Sequence, residues 1–285
     1  MTSQAIQPGT LYIVATPIGN LLDISQRALD ILAGVDVVAC EDTRHTQKLM
    51  SHFSIKNHTI SLHDHNERQR QEQIANMLSE GKSIALVSDA GTPLISDPGF
   101  HIVKHLRQQS LNVVPVPGAC AAITALCASG LPTDKFTFEG FLPSKSGARQ
   151  SALSALTKEP RTMVFYDAPR RALDTIADIV EVLGADRQVS IARELTKTFE
   201  TIHSDTAGNL QAWLNEDPNQ LKGEMVLIIE GAKADPGAIL PEAELALSLL
   251  VKELPPKKAC AIVAELYSLK KKPLYDLALN MKNSS

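Results

Sequence analysis

Three short segments of small residues carry the chemistry of this chain. They are Thr16-Pro17-Ile18-Gly19-Asn20, Asp89-Ala90-Gly91-Thr92-Pro93 and Pro117-Gly118-Ala119-Cys120, and each follows an apolar run. The fullest is SIALVSDAGTPLISDPG at 83–99, where Ile84–Val87 stops abruptly at Ser88-Asp89 and two Gly-Pro-rich turns follow. Glycine lets backbone amides approach a ligand, and proline stiffens the loop around it. Such loops at the ends of buried parallel strands form small-molecule pockets. The spacing excludes the commoner ligands. No GxGxxG follows the first apolar run, and no GxxxxGK[ST], HExxH or GxSxG occurs, so a Rossmann dinucleotide site, a P-loop, a zincin and an α/β-hydrolase are all disfavoured.

Charged residues gather at other strand ends. Glu41-Asp42-Thr43-Arg44 either caps a helix, through Asp42 or Thr43, or turns two acids and a guanidinium toward the pocket mouth to orient a substrate. His63-Asp64-His65 has two imidazoles at i and i+2, but no further Cys or carboxylate stands at ligand spacing; we expect no metal site. The runs Phe165–Arg171 and Ala192–Lys197 place Arg170, Arg171, Arg193, Glu194 and Lys197 at strand ends. They are either solvated surface or a basic groove for an anionic substrate, which Lys145 and Arg149 could extend.

The elements that must hold these loops alternate. Apolar runs at 11–15, 35–40, 59–62, 83–88 and 111–116 are separated by amphipathic stretches near 24–33, 43–52, 66–80 and 97–109. That pattern predicts a mostly parallel sheet with helices on both faces, its three small-residue loops converging at one edge. After a Leu-Pro-rich stretch at 131–143 a second α/β pattern begins, with strands expected at 136–141, 161–166, 188–193, 198–203 and 224–230 and helices at 148–158, 169–183 and 206–215. From about 232 an Ala-Pro-Gly linker leads into two or three short helices bearing Lys252, Lys257, Lys258, Lys270, Lys271 and Lys272, either a solvated face or a contact for RNA phosphate. We therefore expect an α/β lobe over 1–118, a second α/β lobe with a mixed sheet over 119–232, and a helical extension over 233–285.

Composition sets outer bounds. The 285 residues are 44% apolar, enough for a sizeable core, and the net charge of −4 confines any nucleic-acid contact to a local patch. Cys40, Cys120, Cys127 and Cys260 form no CxxC pair and are expected as buried free thiols in a reducing compartment. No basic-then-apolar leader and no membrane-length apolar window is present, so we expect a cytoplasmic protein without membrane contact.

Taken together, LYIVATPIGNLLDIS, CEDTRHTQKL, ALVSDAGTPLISDPG, VPGACAAITALCASGLP, FYDAPRR, RELTKTFE and KGEMVLIIEG resemble, in order, the ribosomal RNA small subunit methyltransferase I family of the tetrapyrrole-methylase superfamily. The resemblance runs from about Leu11 to Gly231. It implies a two-lobed tetrapyrrole-methylase-like fold (class III among S-adenosylmethionine methyltransferases), with the S-adenosyl-L-methionine donor in the cleft between lobes. It implies 2′-O-methylation of a cytidine ribose in the 16S RNA of the small ribosomal subunit, by a homodimer.

The donor contacts it implies are Pro17, Asp89, Ala90, Gly91, Thr92, Ile95, Ser96, Pro117, Gly118, Ala122 and Tyr166. The superfamily's central loop reads Gly-Asp-Pro; here Thr92 stands between Gly91 and Pro93, a departure from the porphyrin-ring enzymes that rules out carrying over an acid contact at 92. A ribose hydroxyl is a weak nucleophile, so a base or a nearby charge is required. The catalytic candidates are Glu41, Asp42, His65, Arg193 and Glu194, with His63 and Asp64 nearby. The RNA candidates are Arg44, Lys145, Arg149, Arg170, Arg171 and Lys197. Two other functions fit less well: methylation of a small tetrapyrrole or corrinoid precursor, and a non-catalytic RNA-binding assembly factor.

Overall fold

A computed structural model describes residues 5–63, 66–233, 239 and 241–283. The chain forms two compact units, Met1–Gly231 and Ala232–Ser285. Both sheets lie inside the first, so the boundary expected near 118 falls within one compact body.

The first sheet contains β1 (Thr10–Val14), β2 (Val37–Cys40), β3 (Thr59–Ser61), β4 (Ile84–Val87) and β5 (Asn112–Val116), in the order β3-β2-β4-β1-β5 and parallel throughout. Its residues alternate between two cores, as the pleat requires. Leu11, Ala39, Ile84 and Leu86 pack on one face with α3 (Glu67–Ser79) and α4 (Phe100–Gln108); Tyr12, Val14, Val38, Cys40, Ala85 and Val87 pack on the other with α1 (Gln26–Gly34) and α2 (Thr43–His52). Because both faces are covered, these strands read as continuous apolar runs.

The second sheet is mixed. Its strands are β6 (Phe136–Phe141), β7 (Thr162–Asp167), β8 (Gln188–Arg193), β9 (Thr201–Thr206) and β10 (Met225–Ile229), in the order β6-β7-β10-β8-β9; only β6 and β7 run parallel. One face packs on α6 (Ser146–Ala155), α7 (Ala172–Leu183) and α8 (Ala207–Glu216) through Met163, Phe165, Ile191 and Leu227. The other face, through Val164, Ala192, Val226 and Ile228, packs on α5 (Ala121–Ala128).

Three local expectations need correction. The stretch after Pro117 was expected only as a turn, yet it enters helix α5 at Ala121. Its eight residues, AAITALCA, contain no charge, so there is no polar face to create a period. The strand expected at 198–203 begins at Thr201, because the preceding segment coils tightly: Glu194 and Thr196 take φ values of 50° and 66°, and Lys197 N–H donates to the Glu194 carbonyl at 3.0 Å. Cys40 and Cys260 are buried as expected and burial pushes both thiols up, whereas Cys127 is exposed and Cys120 half-buried.

The second unit consists of α9 (Pro241–Glu253), α10 (Pro256–Leu266) and α11 (Lys271–Asn283) around Ala243, Leu247, Cys260, Val263, Leu274 and Ala278. All six lysines of 252–272 are exposed. Lys257, Lys258, Lys271 and Lys272 sit in the first turns of α10 and α11, where the helix dipole disfavours positive charge. Among the described residues no helix is long and apolar enough to cross a membrane.

Candidate active site

The three small-residue loops meet, as their positions at the C-terminal edge of the first sheet demand. Thr16 and Gly91 exchange both backbone hydrogen bonds, at 2.9 and 3.1 Å, joining the first loop to the second. The Thr92 hydroxyl donates to the Ala119 carbonyl at 2.9 Å, joining the second to the third. The central loop is held in an unusual shape: Leu94 and Ser96 lie at φ 74° and 65°, inside the left-handed region. Non-glycine residues stay there only where surrounding structure imposes it, and such positions gather at ligand sites.

The constraint comes partly from behind. Helix α4, which follows this loop, starts at Gly99 without a side-chain cap of its own. Glu67, only 4% exposed, supplies one from α3: its Oε1 accepts from the backbone N–H of His101 at 2.7 Å and of Ile102 at 3.1 Å. A buried carboxylate thus satisfies two of the orphan donors at a positive helix end.

In front of the loop lies a cavity of about 480 Å³, within the usual range for ligand sites. One wall comes from the first sheet's edge: Asp89, Ala90, Gly91, Thr92, Ile95, Ser96 and Asp97, with Ile18 and Glu41. The facing wall comes from α5 and the second sheet: Ala121, Tyr166, Ala192, Leu195, Met225 and Val226, with Phe141, Asp167 and Glu224 at strand ends. Among the described lining residues there are acids, Glu41, Asp89, Asp97, Asp167 and Glu224, but no Lys, Arg or His. Tyr166 stands edge-on to Phe138 at 5.0 Å and to Phe141 at 5.4 Å, and burial pushes its phenol up to about 12.

Of the expected donor contacts, Asp89, Ala90, Gly91, Thr92, Ile95, Ser96 and Tyr166 line this cavity. Pro17 is buried and outside the lining, and Ala122 packs into the core beneath α5 while its neighbour Ala121 lines the cavity. Pro117 and Gly118 are exposed and outside the lining.

Of the catalytic candidates, Glu41 lines the cavity. Asp42 does not: it caps α2 and holds Arg44 through two side-chain bonds of 3.2 and 2.9 Å, which keep its carboxyl below the usual range. Its backbone N–H also donates to Asp89 Oδ1 at 3.1 Å. Asp64 and His65 lie outside the described residues. No metal cluster occurs among the described residues, His63 included.

Glu194 is not a lining residue, but its carboxylate abuts two that are, Gly223 and Glu224. Burial pushes its carboxyl up, but Lys197 Nζ at 2.9 Å and the Glu224 N–H at 2.9 Å outweigh that and leave it below the usual range. Burial lowers Lys197, yet Glu224 at 2.7 Å and Glu194 leave it raised. The Glu194 carboxylate lies where a side chain on Gly223 would be: a Cβ there would fall 2.2 Å from Oε1, and Gly223 has φ +88°. Gly223-Glu224 within KGEMVLIIEG is therefore a signal of this site legible in the sequence.

Two expected RNA contacts, Arg149 and Arg171, and one catalytic candidate, Arg193, are corrected. Arg149 is 2% exposed and paired with buried Asp178 at 2.6 Å, holding α6 to α7. Arg193 is buried and spends its guanidinium on Gln220, the carbonyls of Phe199 and Lys222, and Thr201. Arg171 is bound to the buried Asp167 carboxylate, which also accepts from Thr175 at 2.6 Å. In each case a buried acid or carbonyl needed a partner, and sequence alone could not show it. Lys145 and Arg170 are exposed and Arg44 is 86% exposed, so these keep a surface role open.

Residues 10–211 match the tetrapyrrole (corrin/porphyrin) methylases, and residues 237–282 match the RsmI C-terminal HTH domain. The chain is 58% identical to a ribosomal RNA small subunit methyltransferase I of Pasteurella multocida, over 96% of this chain and 98% of that one. It is 56% identical to the protein of that description in Escherichia coli O157:H7, over 96% of each. Among solved structures it is similar in fold to uroporphyrin-III-C-methyltransferase from Thermus thermophilus (17% identity, TM-score 0.54, 78% of this chain and 94% of that one). It is likewise similar to a diphthine synthase (14% identity, TM-score 0.57, 78% and 90%). A two-sheet methylase body with its loop-built cavity, followed by a matching helical unit, places this chain in the ribosomal RNA small subunit methyltransferase I family.

Proposed function

We propose that this protein transfers a methyl group from S-adenosyl-L-methionine to the 2′-hydroxyl of a cytidine ribose in 16S RNA, acting in the cytoplasm on the small ribosomal subunit as a homodimer. The observation that carries this reading is the cavity: a small-residue loop held in left-handed turns against an apolar wall, in a chain whose relatives are described as small-subunit RNA methyltransferases. The donor fits its chemistry. A lining that carries acids and no described basic residue suits a ligand with sulfonium and ammonium charges, although Asp167 and Glu224 are engaged by Arg171 and Lys197, and Ile18, Leu195, Met225 and Val226 offer apolar contact for a purine. Asp89 to Thr92, Ile95, Ser96 and Tyr166 would hold it. When bound, it supplies a methyl carbon already activated toward displacement.

The remaining work falls to the protein's own side chains. Positioning the ribose oxygen is the larger part, since an oriented reactant removes much of the entropic barrier. The hydroxyl must also lose its proton. Glu41 is the catalytic candidate that faces the cavity, and we assign it the role of proton acceptor. Glu194, tied to Lys197 and the Glu224 N–H, supports the lining instead. Outside the cavity, Arg44, Lys145 and Arg170 and the lysines of the helical unit would meet phosphate. The test is incubation with labelled donor and isolated small subunits, followed by nuclease mapping of ribose methylation. One methylated cytidine is expected, with Glu41→Gln slowing turnover by about 100-fold while donor affinity holds. Methylation of a base, or full turnover by the Gln variant, would overturn the assignment.

A further inference from the structure

We propose that Phe141 is a stacking platform for a nucleobase of the RNA substrate, drawn out of its own stack at the cavity mouth. The proposal rests on the reading of this cavity as a ribose methylation site. Phe141 lines the cavity yet is 62% exposed, which leaves most of its ring uncovered. It is held from one side by Tyr166, edge-on at 5.4 Å and 65°, and Tyr166 in turn is braced by Phe138 at 5.0 Å. A ring held by a braced neighbour can receive a base with little loss of side-chain freedom.

The backbone aims it. The pairing of β6 with β7 shifts register between Phe138 and Gly140, and Gly140 lies at φ +71°. A bulge of this kind turns the following side chain out of the regular alternation. It also brings β6 against the donor-side loop, since a Cβ on Gly140 would lie 3.9 Å from Ser96 Oγ. Phe141, from β6 of the second sheet, and the 38%-exposed Ile95, from the loop after β4, thus line one cavity.

Charge decides which part of an RNA enters there. Glu41, Asp89 and Asp97 line the cavity beside the ion-paired Asp167 and Glu224, and no described lining residue is basic, so the lining offers phosphate no cation. The uncharged nucleoside is what can approach, with the backbone remaining outside. A ribose hydroxyl brought to the cavity drags its base out of the neighbouring stack, and an aromatic face offsets that lost stacking.

The experiment measures subunit methylation by Phe141→Leu and Phe141→Trp at saturating donor, with S-adenosylhomocysteine affinity by calorimetry and thermal midpoints alongside. Leucine keeps apolar bulk but no π-face. For the Leu variant, KM for the subunit should rise about tenfold or more. Its kcat, S-adenosylhomocysteine affinity and thermal midpoint should hold, and Trp should restore KM. A wild-type KM in the Leu variant would overturn the proposal. So would a parallel loss of S-adenosylhomocysteine affinity, which would give the ring to the donor's purine. A wild-type protein that methylates no ribose would overturn the underlying function instead, and the wild-type control tells the two failures apart.

Discussion

Replacing Glu67 with leucine removes the borrowed cap of α4 while filling its space. Two backbone N–H groups, at His101 and Ile102, lose a charged acceptor in a site that is only 4% exposed. A hydrogen bond to a charged group contributes about 1.5–3 kcal/mol, and loss of a helix cap costs about 0.5–2 kcal/mol. The two contacts share one oxygen, so the full sum overcounts, and about 2–4 kcal/mol of destabilisation is expected. Glu67→Gln keeps an acceptor without the charge and should lose about half as much. Urea denaturation followed by circular dichroism reads the total. Hydrogen exchange at 96–102, against that at β1, shows whether the loss is local to the loop before α4. Donor affinity should fall with it, because Ile95, Ser96 and Asp97 are in the freed segment. A Leu variant within about 0.5 kcal/mol of wild type, with unchanged protection at 100–102, would refute the idea that α3 holds the donor loop from behind.

Two further outcomes follow from the corrected residues. Arg149→Met should destabilise the fold by about 3–5 kcal/mol by stranding the buried Asp178 carboxylate, which the Arg, Gln150 and Ser146 hold below the usual range despite burial. RNA affinity per folded molecule should be unaltered, and a stable Arg149→Met protein that binds RNA poorly would return the residue to the RNA face. Tyr166 makes a pH prediction. Burial raises its phenol from 10.0 to about 12, so the unfolded chain ionises first as pH rises. Its contribution to stability is complete below pH 10 and is lost between pH 10 and about 12. Thermal melts of Tyr166→Phe should lose less stability than wild type across that window; identical slopes would place the phenol in water.

The first sheet was readable because it is buried on both faces: runs such as Ile84–Val87 have no rival assignment, and the small-residue loops that end them mark the pocket. Asp89 to Thr92, Ile95 and Ser96 line the cavity for that reason, whereas Tyr166, from β7 of the second sheet, was marked only by the family resemblance. The charged residues were another matter. Arg149, Arg171 and Arg193 look like surface in the sequence, and each proved to be half of a buried pair or a carbonyl cage. Identity alone does not distinguish a guanidinium facing solvent from one answering a distant carboxylate. In the sequence Glu67 is simply an acid in the first turn of α3, since its partners stand 34 and 35 residues away. Phe141 went unassigned because its aim depends on a one-residue shift in strand pairing, which composition does not encode.

Helix α5 leaves the edge of the first sheet at Ala121 and lies on β7 and β10 of the second, with Ala122 and Ala125 at the contact. It therefore acts as a gauge block whose thickness is that of an alanine. Side chains one or two carbons larger at these positions would press on Ala192 and Val226, which line the cavity, and pry its two walls apart. Cavity width is thereby set by two alanines that stand behind the lining while Ala121 of the same helix forms part of it.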